Sequence, residues 1–112
     1  YIPLNNEAVH ALRIWKAQTK RDSGHVFVGK YGNKFINISK SWSVLLKKVD
    51  ITDFRLHDLR HHFASRLVTA GVDLNTVREL LGHSDIKMTL RYAHLAPAHL
   101  SDAVAVLNEY RR

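Results

Sequence analysis

Apolar residues recur at helical spacing along most of the chain. Ala8, Leu12 and Trp15 fall on one side of a 3.6-residue period, which predicts an amphipathic helix over 6–20. Asn5 or Asn6 can cap it, and the preceding "YIPL" alternates like the end of a strand. "RDSGH" reads as a turn, and "VFVG" and "KFIN", around Gly29 and Gly32, read as short β-prone pieces in a hairpin or irregular loops. Trp42, Leu45, Leu46 and Val49 predict a second helix, capped by Ser39 or Ser41. Lys47 and Lys48 then lie near its negative end, where cations are favoured.

From about His57 the period returns, with Leu56, Leu59, Phe63 and Leu67 as the expected buried stripe and Gly71 as the stop. Asp73 is placed to cap a short helix that buries Val77, Leu80 and Leu81 and closes at Gly82. Ser84 is placed to cap another, with Ile86, Leu90 and Ala93 inward. Pro97 opens a final helix carrying Leu100, Val104 and Leu107. There is no internal repeat and no low-complexity segment. The expected fold class is mostly α with a small β component.

The stretch "RLHDLRHHFASRL" does not fit a plain core helix, because it holds three histidines and three arginines. The net charge of +7 makes polyanions plausible partners, nucleic acid before an anionic membrane surface. Charge alone also fits a basic protein with no anionic ligand. The 112 residues suffice for one domain, and none of them is cysteine, so disulfide and thiol chemistry are excluded. No apolar run approaches the length of a membrane span, and the start does not read as a signal peptide.

His57 and Arg60 are three apart, so a helix puts them on one face, beside the Leu59/Phe63 stripe. "LLGHSD" sets His83 after a glycine between two capped helices, and "TLRYAHL" sets Tyr92 opposite Ile86 and Leu90, off the expected buried stripe. Taken singly, these residues also fit a solvated polar face, a structural turn histidine and a surface tyrosine. The ordered set "HDLRHHFAS", "LLGHSD", "RYAHL", joined by "AGVDLNTVRELLGH", resembles the tyrosine recombinase, or phage integrase, family over roughly residues 1–95.

The resemblance implies DNA strand cleavage through a 3′-phosphotyrosyl link, followed by rejoining. Tyr92 is then the nucleophile, His57 and Arg60 the second basic pair of the site, and His83 a contact to the scissile phosphate. It implies no cofactor, double-stranded DNA as partner, a homo-oligomer on that DNA, and a bacterial or phage-encoded protein working in the cytoplasm. Elementary chemistry agrees with these roles. A phenol of pKa ~10 needs help to attack at neutral pH. An imidazole can exchange a proton near neutrality, and a guanidinium fork can grip two phosphate oxygens.

The family's site also holds an arginine and a β-turn lysine ahead of the "YIPLN" position. Residues 1–112 are therefore expected to be the later part of a catalytic domain, without its N-terminal DNA-binding domain, and inactive alone. Lys16, Lys20, Lys30 and Lys34 lie in the wrong part of the pattern to serve as that lysine. Two other readings stand beside this one. His57 and His61 have the spacing of helical zinc ligands, but "HDLRH" lacks the HExxH glutamate. "ASRLVTAGVDLNTVRELLGHSDIKMTLRY" also scans as a helix-turn-helix that binds DNA without chemistry.

Overall fold

A computed structural model gives the fold and describes residues 1–29, 31–32 and 37–110. Its α-helices are α1 (Asn6–Thr19), α2 (Ser39–Lys48), α3 (Leu56–Thr69), α4 (Leu74–Leu81) and α5 (Leu100–Ala105). Shorter 3-10 turns run over Ile86–Met88, Leu90–Leu95 and Val106–Glu109. Mostly helical structure is thus the outcome. The chain divides into two units, Tyr1–Asp53 and Phe54–Arg112.

In the first unit, α1 starts as its sequence predicts: the Asn5 side chain accepts from the Ala8 amide at 2.9 Å. Lys20, in the left-handed conformation, ends it. The following loop folds back on the helix. Trp15 Nε1 donates to the Val26 carbonyl at 2.7 Å, and the Trp15 and Phe27 ring centroids lie 5.6 Å apart.

Two expectations change in this unit, and a third is met only in part by the described residues. Neither serine caps α2: Ile38 holds the cap position, and Asn37 Oδ1 accepts from the Ser39 amide at 2.8 Å. An Asn two residues back thus does the work expected of Ser39, which becomes the first helical residue. Residues 1–5 form no strand, since an extended stretch needs a pairing partner and Ile2 and Leu4 stand exposed. Val28 makes only an isolated bridge, and residues 34–36 of "KFIN" lie outside the described residues.

In the second unit, α3 opens with Asp58 Oδ2 accepting from the Arg55 amide at 2.8 Å. Its partners are α4 and the Leu90–Leu95 turn. The face that meets them carries Ala64 and Val68, both fully buried, and of the expected stripe Leu67 packs against this cluster while the other three residues do not. Leu56, Leu59 and Phe63 are each more than 40% exposed. The large side chains mark the wrong face because small Ala64 is what lets neighbouring backbones approach closely.

From α4 come Val77 and Leu81, and from the last turn comes Tyr92. Burial of a Val side chain is worth about 1.5–3 kcal/mol, so this small cluster is what holds the segments together. Asp73 caps α4 as expected, accepting from the Thr76 amide at 3.0 Å. The next turn is capped by Asp85, one residue after the expected Ser84, through the Lys87 amide at 2.9 Å. An aspartate outcompetes the adjacent serine as an acceptor, and the turn tightens to 3-10 form. Its inward residues are Thr89 and Tyr92, while Ile86 and Leu90 are exposed. Past Pro97 the helix begins only at Leu100, and Leu100, Val104 and Leu107 are 83%, 66% and 68% exposed.

Candidate active site

His57, His61, Ala64 and Val68 are spaced four, three and four apart on α3, with Arg60 beside His61. The polar residues therefore continue the same face that enters the core. This is why they are held firmly. Buried Ala64 and Val68 fix the roll of the helix, and the next turn outward points its imidazoles and guanidinium over α4 and the last turn. Arg60 reaches across to donate to the Leu81 carbonyl. That carbonyl belongs to the last turn of α4, where unsatisfied acceptors and the negative dipole end attract a cation. The fork keeps further N–H donors for a ligand.

His83 is positioned by the end of α4. Gly82, at φ +72°, takes the left-handed turn that L side chains resist. The His83 amide then donates back to the Arg78 carbonyl at 3.1 Å, and the Gly82 amide donates to Glu79 at 3.1 Å. Arg78 closes the loop from the other side, donating to the His83 carbonyl at 3.0 Å. The ring is fixed in turn by Thr89, whose Oγ1 lies 2.9 Å from Nδ1. Desolvation holds His83 below the usual imidazole range, and the nearby charges of Arg60, Arg91 and His57 add to the effect. The ring is thus neutral at physiological pH. With Nδ1 engaged by Thr89, Nε2 is the ring nitrogen available to a ligand.

Tyr92 differs from expectation. It does not lie off the core: it is 6% exposed and its ring belongs to the hydrophobic cluster. Its amide donates to the Thr89 carbonyl at 3.0 Å, so the residue that orients His83 also anchors Tyr92. Its hydroxyl meets His61 Nδ1 at 2.5 Å. The reason is the 3-10 turn. Three residues per turn, not 3.6, put Thr89 and Tyr92 on one side and push Leu90 out.

The four residues singled out by the sequence, His57, Arg60, His83 and Tyr92, line one cavity of about 580 Å³. Four more line it that the sequence reading did not assign to the site: His61, Lys87, Met88 and Arg91. His61, one turn along α3 from His57, sits inside. The legible signal for it was its four-residue offset from His57 on the same helix face. His62 and His94 are exposed, and Arg55 is a solvated charge 3.6 Å from Asp58. His57 and His61 meet edge to face, ring centroids 4.8 Å apart. Among the described residues no three His, Asp or Glu side chains gather so as to hold a metal. Among them, too, no helix is long and apolar enough to cross a membrane. The cavity is lined by the cations Arg60, Lys87 and Arg91, three histidines, one methionine and one phenol, a lining suited to a phosphate.

Comparison with known proteins gives the same direction. The profile of the phage integrase family matches residues 1–99. The integrase of Salmonella phage P22 is 52% identical over 105 residues, covering 82% of this chain and 27% of that protein. The tyrosine recombinase XerC of Xanthomonas axonopodis pv. citri is 37% identical over 110 residues, covering 89% of this chain and 34% of that protein. The chain therefore spans about a quarter to a third of the length of these relatives. Among solved structures, the catalytic domain of bacteriophage HP1 integrase matches with a TM-score of 0.53 and 39% identity, over 66% of this chain and 46% of that one. With the family profile covering most of its length and such relatives beside it, the chain belongs to the phage integrase family.

Proposed function

We propose that the protein carries out site-specific recombination of double-stranded DNA, cutting and rejoining strands through a 3′-phosphotyrosyl intermediate. The observation that carries this reading is the convergence of the buried Tyr92 with His57, Arg60 and His83 on one cavity. In the proposed reaction the Tyr92 oxygen attacks the scissile phosphorus. The bond to the 5′ oxygen breaks, and that oxygen leaves with the bonding pair and takes up a proton. Arg60 and the Nε2–H of His83 donate to the non-bridging oxygens, where charge builds up in the transition state. Fixed donors of this kind need no reorganisation as the reaction proceeds. His57 faces the same space and is assigned proton exchange and phosphate contact. Lys87 and Arg91 supply flanking positive charge for the DNA backbone. The phosphotyrosyl ester keeps the energy of the cut bond, so a second 5′ hydroxyl can reverse the attack without ATP.

The test uses a nicked duplex that traps the intermediate. The full-length protein should yield an SDS-resistant DNA adduct whose labelled peptide contains Tyr92. Tyr92→Phe should bind DNA and form none. An adduct on Tyr1, Tyr31 or Tyr110 would sink the assignment. Salt-sensitive binding with no adduct from the unaltered protein would favour a helix-turn-helix module without chemistry, for which α3 and α4 have the right order.

Assembly as a homo-oligomer on DNA belongs to the same proposal. It is supported by the apolar stripe Leu100, Val104 and Leu107, which is exposed just beyond the nucleophile and suits exchange of the C-terminal segment with a neighbouring copy. Sedimentation of the DNA complex with residues 98–112 deleted tests it: unchanged assembly argues against the segment's role.

A further inference from the structure

We infer that His61 is the base that takes the proton from the Tyr92 hydroxyl, an inference that rests on the proposed role of Tyr92 as nucleophile. A phenol attacks phosphorus slowly while it keeps its proton, and at neutral pH it keeps it. A base must therefore stand within hydrogen-bond reach of that oxygen, at about 2.6–3.2 Å or closer. His61 Nδ1 stands 2.5 Å from it. Among the described residues no hydrogen bond joins Tyr92 to His57, the histidine that the His-x-x-Arg motif brings forward. His57 instead packs edge to face on His61 and so fixes the plane of its ring.

The other cavity-lining groups cannot take this proton as readily. Arg60, Lys87 and Arg91 are donors with no lone pair to offer in their charged forms. His83 has its Nδ1 committed to Thr89. The placement of His61 is also rigid. It lies one turn before Ala64 on the buried face of α3, and its partner Tyr92 is anchored by its ring in the core. Base and nucleophile are thus aligned before DNA arrives.

The proton balance is simple. With the His61 ring proton on Nε2, Nδ1 accepts the hydroxyl hydrogen as the Tyr92 oxygen bonds to phosphorus, and the ring becomes an imidazolium. The 5′ oxygen leaves with the electron pair of the broken bond and is protonated from solvent or a nearby acid. In rejoining, the attacking 5′ hydroxyl loses its proton, and the imidazolium of His61 returns one to Tyr92 as it departs. The net change over both steps is zero.

The experiment measures single-turnover adduct formation by the full-length protein on the nicked duplex, with DNA affinity measured alongside. His61→Gln is expected to slow adduct formation by about 10²-fold or more, the range for a lost general base, with unchanged affinity. Replacing Tyr92 by a fluorinated tyrosine, whose phenol ionises nearer neutrality, should restore most of the His61→Gln rate. It should do little for the unaltered protein. A normal rate in His61→Gln overturns the inference, as does a defect that fluorination fails to rescue in a folded variant. Nitrogen NMR of ring-labelled histidine gives a check that needs no variant at His61. Nδ1 of His61 should be an unprotonated acceptor in the free protein, and a proton found there overturns the inference. An active Tyr92→Phe would instead sink the recombinase reading itself, so the two failures are distinct.

Discussion

His83 and Thr89 are joined ring to hydroxyl, Nδ1 to Oγ1 at 2.9 Å, and Thr89 has no exposed surface at all. The pair links the end of α4 to the turn that holds Tyr92. Thr89→Val keeps the shape and deletes the hydroxyl. A lost hydrogen bond of about 1–1.5 kcal/mol frees the imidazole to rotate or to move its proton to Nδ1. Adduct formation is expected to slow roughly tenfold. Thr89→Ser, which keeps the hydroxyl, should stay close to the unaltered rate. Equal rates in the Val and Ser variants would show that Thr89 does not set the orientation of His83.

Arg60 is tied to the Leu81 carbonyl, so its role depends on the shape of the guanidinium as well as on its charge. Arg60→Lys preserves the charge and removes the planar fork. One ammonium cannot both satisfy the helix-end carbonyl and grip two phosphate oxygens. Cleavage is expected to fall by about 10²–10³, the scale of losing a single transition-state donor. Non-specific DNA affinity, which counts charges, should barely change. The check is adduct rate against binding measured at one salt concentration.

His83 also makes stability depend on pH. Its folded value lies below 6.5, first because of desolvation and then because Arg60, Arg91 and His57 lie close. Between the two values the unfolded chain binds more protons than the folded one, so stability falls as pH drops from 6.5 toward the lowered value. Above 6.5 this contribution is flat. His83→Gln cannot titrate. Its melting temperature should therefore fall less steeply on acidification than that of the unaltered protein, and the two curves should run parallel at alkaline pH.

The sequence carried the site further than it carried the core. His57, Arg60, His83 and Tyr92 could be singled out because their order and spacing resemble those of the integrase family, and one cavity collects all four side chains. The helix starts at Asn5 and Asp73 were legible because a cap is a local matter, settled within three residues. The burial of Tyr92 was not. It follows from the turn over Leu90–Leu95 being 3-10 and not α, and that choice is set by packing against α3. The α3 stripe misled for a related reason. Leu59 and Phe63 look like core by hydropathy, but the face is chosen by what α4 and the last turn can approach, and they approach Ala64. His61 fell between the two cases: its type and offset were visible, its contact with Tyr92 was not.

Val77 is fully buried in the cluster that holds the ring of Tyr92, and this couples stability to chemistry. Val77→Ala removes two methyl groups where nothing else can fill the space, at a cost of about 1–3 kcal/mol. In so small a core that is a large share of what joins α3, α4 and the last turn. The Tyr92 ring then has room to shift, and a displacement near 1 Å is enough to lower a rate by about 10². Val77→Ala should therefore lower both the urea midpoint and the adduct rate, although Val77 touches no DNA in the proposed reaction. Val49→Ala makes the same chemical change at a site that is 52% exposed and outside the proposed assembly stripe. It should alter stability by no more than about 0.5 kcal/mol. Parallel urea titrations and adduct assays of the two variants decide the matter. If Val77→Ala unfolds earlier yet cleaves normally, the core does not position the nucleophile.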